Sequence, residues 1–370
     1  MNYIVLDLEW NQGNEEKEKQ RKDIPFEIIE IGAIKLDSRM EPAGSFHEMV
    51  KPQVYREMHR MTRQLLHMDM KQLQGGELFP DVMKRFLSWC GEAAEGSLPE
   101  NGTCPEETAA TEKGSPQNRA AENGARESRA AQNRAPQDPP AQYRFATWGP
   151  QDLTELQRNM RFYGMELAGS GPVKFYDIQK LFSIAFEDKK SRRNLEYAVD
   201  FLKLPKDGAF HRALSDAYYA AMVLRQIRDP QVLQKVSFDT FRLPQNRKEE
   251  VRIVFDDYAK FISRRFDDKE QLLSDREVTS TKCYLCHRNL KRKIKWFTPN
   301  GKHYYSLSLC DRHGYMKGKI RIRRAEDEGV YAVKTTKFIT KEDAEDLFRR
   351  RDAAKGQGER RKVRNLPGPF

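Results

Sequence analysis

The chain has no long apolar run, no basic leader and few cysteines. None of its apolar stretches approaches the roughly 18 residues of a membrane-spanning helix, so no such helix is expected. The N-terminus enters a strand-like run directly, without a cleavage site, so we expect no signal peptide. Its five cysteines are an odd number, which fits a reducing, cytoplasmic location.

Acidic residues are fewer than basic residues in this chain. Lys and Arg number 66 against 55 Asp and Glu, giving a formal net charge of +11 and a pI of about 9.3. Such a balance indicates a polyanionic partner, either nucleic acid or an anionic membrane surface. With 370 residues, 38% hydrophobic and 33% charged, the chain is long enough for two domains with apolar cores.

Aromatic residues are missing from residues 91–142, and aliphatic residues are rare there. The segment repeats Ala, Asn, Arg, Glu, Gln and Pro without a hydrophobic face. It cannot bury enough apolar surface to offset the entropy of ordering, so we predict a disordered insertion.

The rest of residues 1–230 predicts one α/β domain. Its opening alternates strand-like runs with short connections, and amphipathic helices follow on both sides of the insertion. Residues 237–278 are strongly charged and are predicted to form a helical connector. A smaller module is expected over residues 279–349, followed by a basic, disordered tail over residues 350–370.

Two carboxylates lie two residues apart in the first predicted strand, "MNYIVLDLEW". Because strand side chains alternate between faces, Asp7 and Glu9 point the same way. Like charges side by side on an apolar strand are costly unless a cation lies between them, and a divalent metal ion is the candidate. The alternative is an edge strand whose acidic residues face water.

Three more residues belong to the same hypothesis. Asp152 follows a predicted strand in "FATWGPQD", where a helix N-terminus would also favour an acid. His211 and Asp216 are five residues apart in "HRALSDA". Five helical residues turn through about 500°, so a shared site requires Asp216 on the helix and His211 in the preceding loop. His211 could also be an ordinary surface histidine.

The order of these five residues resembles that of the DEDDh exonucleases, the DnaQ-like 3′-to-5′ exonucleases of the RNase H-like superfold. The tyrosine subgroup has its tyrosine four residues before the last Asp, where this chain has Arg212, so the histidine subgroup matches better. The resemblance implies a mixed five-stranded sheet flanked by helices. It also implies two Mg²⁺ or Mn²⁺ ions held by carboxylates, with His211 as the general base. The implied metal ligands are Asp7, Glu9, Asp152 and Asp216.

Details of two motifs are most similar to the KapD and Eri-type branch, whose better-known members act on RNA ends. The resemblance then implies that substrate is contacted by Trp10, Met61, Leu65, Leu66 and Trp148, although core packing would explain the apolar ones equally well. The expected partner is a single-stranded RNA or DNA 3′ end, with RNA favoured, and no membrane. A DNA-directed exonuclease and a non-hydrolysing regulatory protein on the same fold remain alternatives.

Four ligand-type residues occur in two pairs late in the chain, "CYLC" and "CDRH". The spacing C-x₂-C followed by C-x₂-H resembles a zinc ribbon, and it predicts one structural Zn²⁺. The expected ligands are Cys283, Cys286, Cys310 and His313, with His303 as a substitute for the last and a redox role for the C-x-x-C as an alternative.

The surroundings of these cysteines are strongly basic and contain aromatic residues. Lys and Arg alternate with Trp296, Phe297, Tyr304 and Tyr305, a combination that suits phosphate contacts and base stacking. A solvated basic face is the alternative.

Overall fold

The computed structural model describes residues 1–13, 19–92, 143–299 and 301–364, with side chains as far as Ala354. The predicted insertion lies outside the described residues from position 93 onward. Two compact units are present: Met1–Gly169 with Lys174–Asp239, and Ser170–Val173 with Thr240–Phe370.

A mixed six-stranded sheet forms the first unit. Its strands are β1 (Asn2–Gln12), β2 (Phe26–Leu36), β3 (Pro42–Met49), β4 (Tyr143–Thr147), β5 (Val173–Asp177) and β6 (Ser237–Asp239). They lie in the order β3-β2-β1-β4-β5-β6. The first three are antiparallel neighbours, and β1–β4 and β4–β5 are parallel. This confirms the expected α/β fold with a mixed sheet, with one short strand more than the five expected.

Eight helices of the described chain accompany this sheet. They are α1 (Arg60–Leu66), α2 (Met70–Leu73), α3 (Phe79–Gly91), α4 (Gln151–Phe162), α5 (Ile178–Phe186), α6 (Leu195–Phe201), α7 (Ala213–Gln226) and α8 (Pro230–Leu233). Side-chain caps begin several of them, with Asp177 at α5 and Asn194 at α6. Helix α7 is buried almost all round and packs across β1 and β2. None of the described helices has the length and apolar character needed to span a membrane.

The second unit is built on another six-stranded sheet. Its strands are β7 (Val251–Val254), β8 (Ala259–Ile262), β9 (Lys291–Phe297), β10 (His303–Cys310), β11 (Gly314–Arg324) and β12 (Val330–Ile339), in the order β7-β8-β12-β11-β10-β9. All five neighbouring pairs are antiparallel. Helices α9 (Lys269–Ser274) and α10 (Arg276–Thr279) cover one face, and α11 (Lys341–Arg364) contributes Ala344 and Leu347 to a cluster on the other.

Two expectations about this unit were wrong. The segment 237–278 is not a helical connector, because it supplies β6 to the first sheet and β7 and β8 to the second. Strand β8 pairs with β12, far along the chain, and β7 pairs with β8, and this pairing outweighs the local charge pattern. The tail was expected to be disordered from residue 350, but α11 continues to Arg364; residues 365–370 lie outside the described part.

Candidate metal centres

Carboxylate oxygens of Asp7, Glu9 and Asp216 all lie within 4.8 Å of one another. Alternation along β1 puts Asp7 and Glu9 on one face, where they lie opposite Gly32 and Glu30 of β2. Asp216 comes from the first turn of α7. The β-bulge after Glu9 shifts the register at Trp10, so the pairing changes where the acidic pair ends.

Gly32 allows α7 to approach the sheet at this point. A Cβ atom built on Gly32 would lie 2.1 Å from the backbone carbon of Ala213 and 2.1 Å from the backbone nitrogen of Leu214. No side chain fits in that space, and the backbone itself would have to move. Gly32, opposite Asp7, therefore sets how closely the first turn of α7, with Asp216, packs on β2 beside Asp7.

Asp152, from α4, is not one of the three acids that lie within 4.8 Å of one another, but its charge acts to raise the pKa of Asp7. Strands β1 and β4 pair only as far as Val5 and Ala146, so β1 continues without a partner on that side. The backbone N–H of Leu8, between the two acids of β1, acts to lower the pKa of Asp152. The Asp152 side chain is 7% exposed.

Burial and mutual repulsion make these acids hold their protons unusually tightly. Burial, followed by the charges of Asp152, Asp216 and Glu9, raises the pKa of Asp7 well above its ordinary value. Burial, followed by the Asp216 and Glu30 charges, raises the pKa of Glu9 to about 8. Burial raises the pKa of Asp152 to about 7 despite its backbone hydrogen bonds. A site that repels its own negative charge is suited to a cation.

Glu30 is the exception among the acids on this face. Its side chain is fully buried, and it accepts hydrogen bonds from Arg212 at 3.3 Å and pairs with His47 Nε2 at 2.7 Å. Burial acts to raise the pKa of Glu30, but the bonds from His47 and Arg212 outweigh it and lower the pKa. Glu30 is therefore an ionised carboxylate with hydrogen-bonding partners of its own, one of them a guanidinium.

His211 lies in the loop that precedes α7, as the five-residue spacing required. Its φ of 66° is in the left-handed region, a conformation that costs on the order of 1 kcal/mol in a residue other than glycine. The His211 backbone N–H donates to Asp216 Oδ2 at 3.1 Å, and the residue is exposed. The strained turn thus ties the histidine to an acid of the cluster.

A groove of about 360 Å³ adjoins Glu9. Its lining includes Trp10, Met61, Leu65 and Leu66, which were expected to contact substrate. Met61 is 59% and Leu65 is 47% exposed, unusual values for large apolar side chains. Leu66 is 4% exposed and belongs to a core cluster.

Trp148 is not among the residues that line this groove. Its indole Nε1 donates to the carbonyl of Arg193 at 3.2 Å, and its ring packs near Phe182.

The late cysteines form a second cluster. Ligand-type atoms of Cys283, Cys286, Cys310 and His313 lie within 4.8 Å of one another. The Cys286 and Cys310 sulfurs are 3.8 Å apart, and His313 Nδ1 is 3.4 Å from the sulfurs of Cys283 and Cys310. Tetrahedral zinc, with bonds of about 2.3 Å to sulfur and 2.0–2.1 Å to nitrogen, gives edges of about 3.8 and 3.5 Å. The donor atoms fit that ion.

Both halves of this cluster are tight turns. His287 and Gly314, each directly after the second ligand of a pair, have φ values of 58° and 86°. Backbone N–H groups point at the sulfurs: the one from Arg288 lowers the pKa of Cys286. Burial acts to raise the pKa of Cys310, but backbone N–H groups outweigh it and lower the pKa. The lowered pKa values of these two thiols favour the thiolate that binds metal, whereas burial raises the pKa of Cys283.

His303 lies at the opposite end of β10 from Cys310 and is not in this cluster. Two of the four aromatic residues expected to stack on bases are packed inside the unit. Tyr304 is 8% exposed in a core cluster, and Trp296 packs against that cluster while its Nε1 donates to the carbonyl of Thr279 at 2.9 Å.

The solved structures to which this chain is similar share little sequence identity with it. The chain is similar to the nuclease domain of 3′hExo, a DEDDh family member, bound to rAMP, with 15% identity over 61% of this chain and 90% of that one and a TM-score of 0.41. It is similar to cell-death related nuclease 4 (CRN-4), with 15% identity over 64% and 65% of the two chains and a TM-score of 0.40. For S. pombe Pop2p in its Mg²⁺ and Mn²⁺ bound form, the identity is 15%, the coverage 62% and 83%, and the TM-score 0.36. No protein-family model and no curated protein matches.

Sequence reasoning missed three residues that build the acidic site: Glu30, Gly32 and Arg212. Glycine inside an apolar strand was a usable signal, since it often marks a close backbone approach. A charged residue in the apolar run "EIIEIGAIKL" was another. Their partners come from elements far apart in the chain, so neither signal could identify what they contact.

Proposed function

We propose that this chain is a metal-dependent 3′-to-5′ exonuclease that hydrolyses phosphodiester bonds at single-stranded 3′ ends, with RNA as the favoured substrate. The observation that carries the proposal is the gathering of Asp7, Glu9 and Asp216 within 4.8 Å, with Asp152 close enough to raise the pKa of Asp7. The mutual repulsion of these acids supports a cation site rather than a solvated acidic face.

The donor set fits hard divalent cations, because all four side chains offer carboxylate oxygens. Two Mg²⁺ or Mn²⁺ ions held by Asp7, Glu9, Asp152 and Asp216 would neutralise the scissile phosphate and stabilise the leaving oxygen. The carboxylates of this cluster bind such ions when they are deprotonated and do not bind them when they are protonated. Glu30 stays ionised without sharing in that role, because the Arg212 guanidinium already neutralises it and His47 Nε2 pairs with it by hydrogen bonding.

His211 would accept the proton of the attacking water. A neutral imidazole has a ring nitrogen that can accept a proton, and the exposed loop position of His211 leaves it open to an incoming substrate. The bond from its backbone N–H to Asp216 keeps it beside the carboxylates. The groove beside Glu9 would receive the terminal nucleotides, with Met61 and Leu65 offering apolar surface to the bases.

The test uses 5′-labelled single-stranded RNA and DNA of one sequence, incubated with the full chain plus Mg²⁺, Mn²⁺ or no added divalent ion. We expect a ladder that shortens from the 3′ end, faster on RNA, and absent without metal. Asp7→Asn should abolish it, whereas Asp81→Asn, at an exposed acid of α3 ion-paired to Lys84, should not. Omitting metal is preferable to a chelator, which would also remove zinc.

Intact oligonucleotide under every condition would contradict the exonuclease. Retained binding in that case would favour the non-hydrolysing alternative, and faster cleavage of DNA would move the substrate preference to DNA.

We also propose that the cysteine cluster holds one structural Zn²⁺, supported by the 3.8 and 3.4 Å separations of its donor atoms. Native mass spectrometry should find one zinc per chain. Cys310→Ser should lose the ion and destabilise the second unit, whereas His303→Asn, at the histidine outside the cluster, should keep it. Zinc retained in Cys310→Ser, or lost in His303→Asn, would contradict this ligand set.

A further inference from the structure

Strand β11 presents a row of basic side chains on one face of the second sheet. Its residues alternate: Met316 and Ile320 are buried on one face, whereas Lys319, Arg321 and Arg323 are exposed on the other. We call the last three the basic stripe. Alternate residues of a strand are about 6.7 Å apart, so the stripe extends over about 13 Å.

Protection of a sheet edge does not account for the stripe. Lysine is common on edge strands, where it prevents pairing with another chain. Strand β11, however, is internal: β10 pairs with it from Gly314 to Arg321 and β12 from Tyr315 to Arg324, so Lys319 and Arg321 have strands on both sides and only Arg323 lies beyond the end of β10.

Ion pairing does not account for it either. Other basic residues of this sheet have carboxylate partners, such as Lys291 with Asp311 and Lys337 with Asp257. Within the described part of the chain, none of the three stripe residues forms an ion pair or a side-chain hydrogen bond. Three like charges in a row repel one another, and an anionic partner would remove that cost.

The neighbouring strand confirms the excess of positive charge on this face and adds an aromatic ring. His303 lies opposite Arg321, and burial followed by the charges of Lys319 and Arg321 lowers its pKa. Tyr305 lies opposite Lys319 and is half-buried, with one side packed toward α11. Basic side chains beside an aromatic ring are the combination that binds single-stranded nucleic acid.

We propose that the basic stripe binds the sugar-phosphate backbone of a single-stranded nucleic acid, in a sequence-independent way. The proposal rests on the proposed function for the identity of its partner, but the binding itself belongs to the second unit alone. It narrows the sequence-based expectation, which took together the basic and aromatic residues around the cysteines, to three side chains of β11. Each stripe residue would neutralise one phosphate.

Fluorescence anisotropy with a labelled 20-nucleotide oligouridylate tests it, using the full chain in the Asp7→Asn background without added Mg²⁺ or Mn²⁺. Hydrolysis plays no part in this measurement, so failure of the exonuclease would leave it unaffected. The triple variant Lys319→Gln, Arg321→Gln, Arg323→Gln should bind at least about tenfold more weakly at moderate salt. Its plot of log Kd against log salt should be shallower by about 2, since each lost phosphate contact removes about 0.7.

Two control variants make the result specific. Lys189→Gln, Lys190→Gln, Lys203→Gln makes the same charge change at exposed lysines of the first unit and should bind like the parent. Lys319→Arg, Arg321→Lys, Arg323→Lys keeps the charges and should also bind like the parent. If the triple variant fails to fold, the single variant Arg321→Gln replaces it. Its change in the slope of log Kd against log salt should be about a third of that expected for the triple variant.

Equal affinity and equal salt dependence in parent and stripe variants would overturn the proposal. Loss of affinity in the charge-preserving variant would do so as well, because charge would then not be the cause. Stripe-dependent binding to phosphatidylserine vesicles, with no affinity for the oligonucleotide, would assign the stripe to a membrane surface instead.

Discussion

Arg212 and Glu30 are 182 residues apart in sequence, yet the Arg212 guanidinium donates to the Glu30 carboxylate at 3.3 Å. Glu30 is fully buried and Arg212 is one-third exposed. Arg212 is also the residue directly before α7, between His211 and the helix that carries Asp216. The pair therefore fixes the start of α7 to the middle of β2.

Arg212→Gln should weaken this attachment. The buried Glu30 carboxylate would keep only His47 as a strong partner, at a cost of about 1–3 kcal/mol in unfolding free energy. Exonuclease activity should fall because α7 is no longer held against β2. Urea denaturation and single-turnover assays measure the two effects, and Arg212→Lys should recover part of both. Unchanged stability in Arg212→Gln would show that Glu30 does not depend on Arg212.

Asp7→Asn should stabilise the metal-free protein while abolishing activity. The substitution removes one of several buried charges that repel each other, and a gain of about 1–2 kcal/mol at pH 8 is expected. Thermal unfolding without added divalent ions would show this as a rise of about 2–4 °C per kcal/mol. Added Mg²⁺ should raise the melting temperature of the parent but not of the variant. A variant less stable than the parent in metal-free buffer would contradict the repulsion.

Metal binding should strengthen with pH through the neutral range. The pKa of Glu9 is raised to about 8 from an ordinary 4.5, so the folded, metal-free protein keeps a proton that the unfolded chain has released. Its stability should therefore fall as pH rises from about 5 to 8. A bound ion displaces that proton, so Mn²⁺ affinity should increase up to about tenfold per pH unit for each proton released. Calorimetric titrations at pH 6, 7 and 8 would measure it, and a flat profile would refute it.

Gly32→Ala should damage both stability and activity. The added methyl group would meet the backbone of Ala213 and Leu214 at 2.1 Å, and the start of α7 would have to move away from β1. Overpacking of this kind costs about 1–3 kcal/mol or more. Gly91→Ala is the matched control, because nothing lies within 4 Å of a Cβ there. Full activity in Gly32→Ala would mean that the spacing between α7 and β1 is not critical.

Met61→Ala and Leu65→Ala should lower kcat/KM for oligonucleotides without unfolding the protein. Both side chains are about half exposed, so truncation should change stability by less than about 0.5 kcal/mol. Loss of one base contact is worth about 1–3 kcal/mol, which corresponds to roughly 5- to 150-fold in kcat/KM. Leu78→Ala, at a leucine that is 44% exposed and does not line the groove, serves as the control. Equal kinetics in all three variants would remove the groove from substrate binding.

The sequence allowed prediction of those features that depend on local backbone geometry and on the chemistry of the ligand side chains. Alternation put Asp7 and Glu9 on one face, helical pitch separated His211 from Asp216, and the paired spacing of the cysteines indicated one cluster. The second sheet was underestimated, because β7 and β8 are four residues each, and β8 depends on pairing with the distant β12. Trp296 and Tyr304 were misassigned because the strand register, which decides which face a residue takes, is set by tertiary contacts.

The turn that joins β10 to β11 is itself half of the cysteine cluster: Cys310 ends one strand, Gly314 begins the next, and the two are paired. A bound ion would fix that turn and so determine which residue of β11 faces which residue of β10. If the hairpin slipped by a single residue, Lys319 and Arg321 would turn inward and Ile320 would turn to solvent. Loss of that ion, or oxidation of the thiolates, would then weaken any binding by the basic stripe.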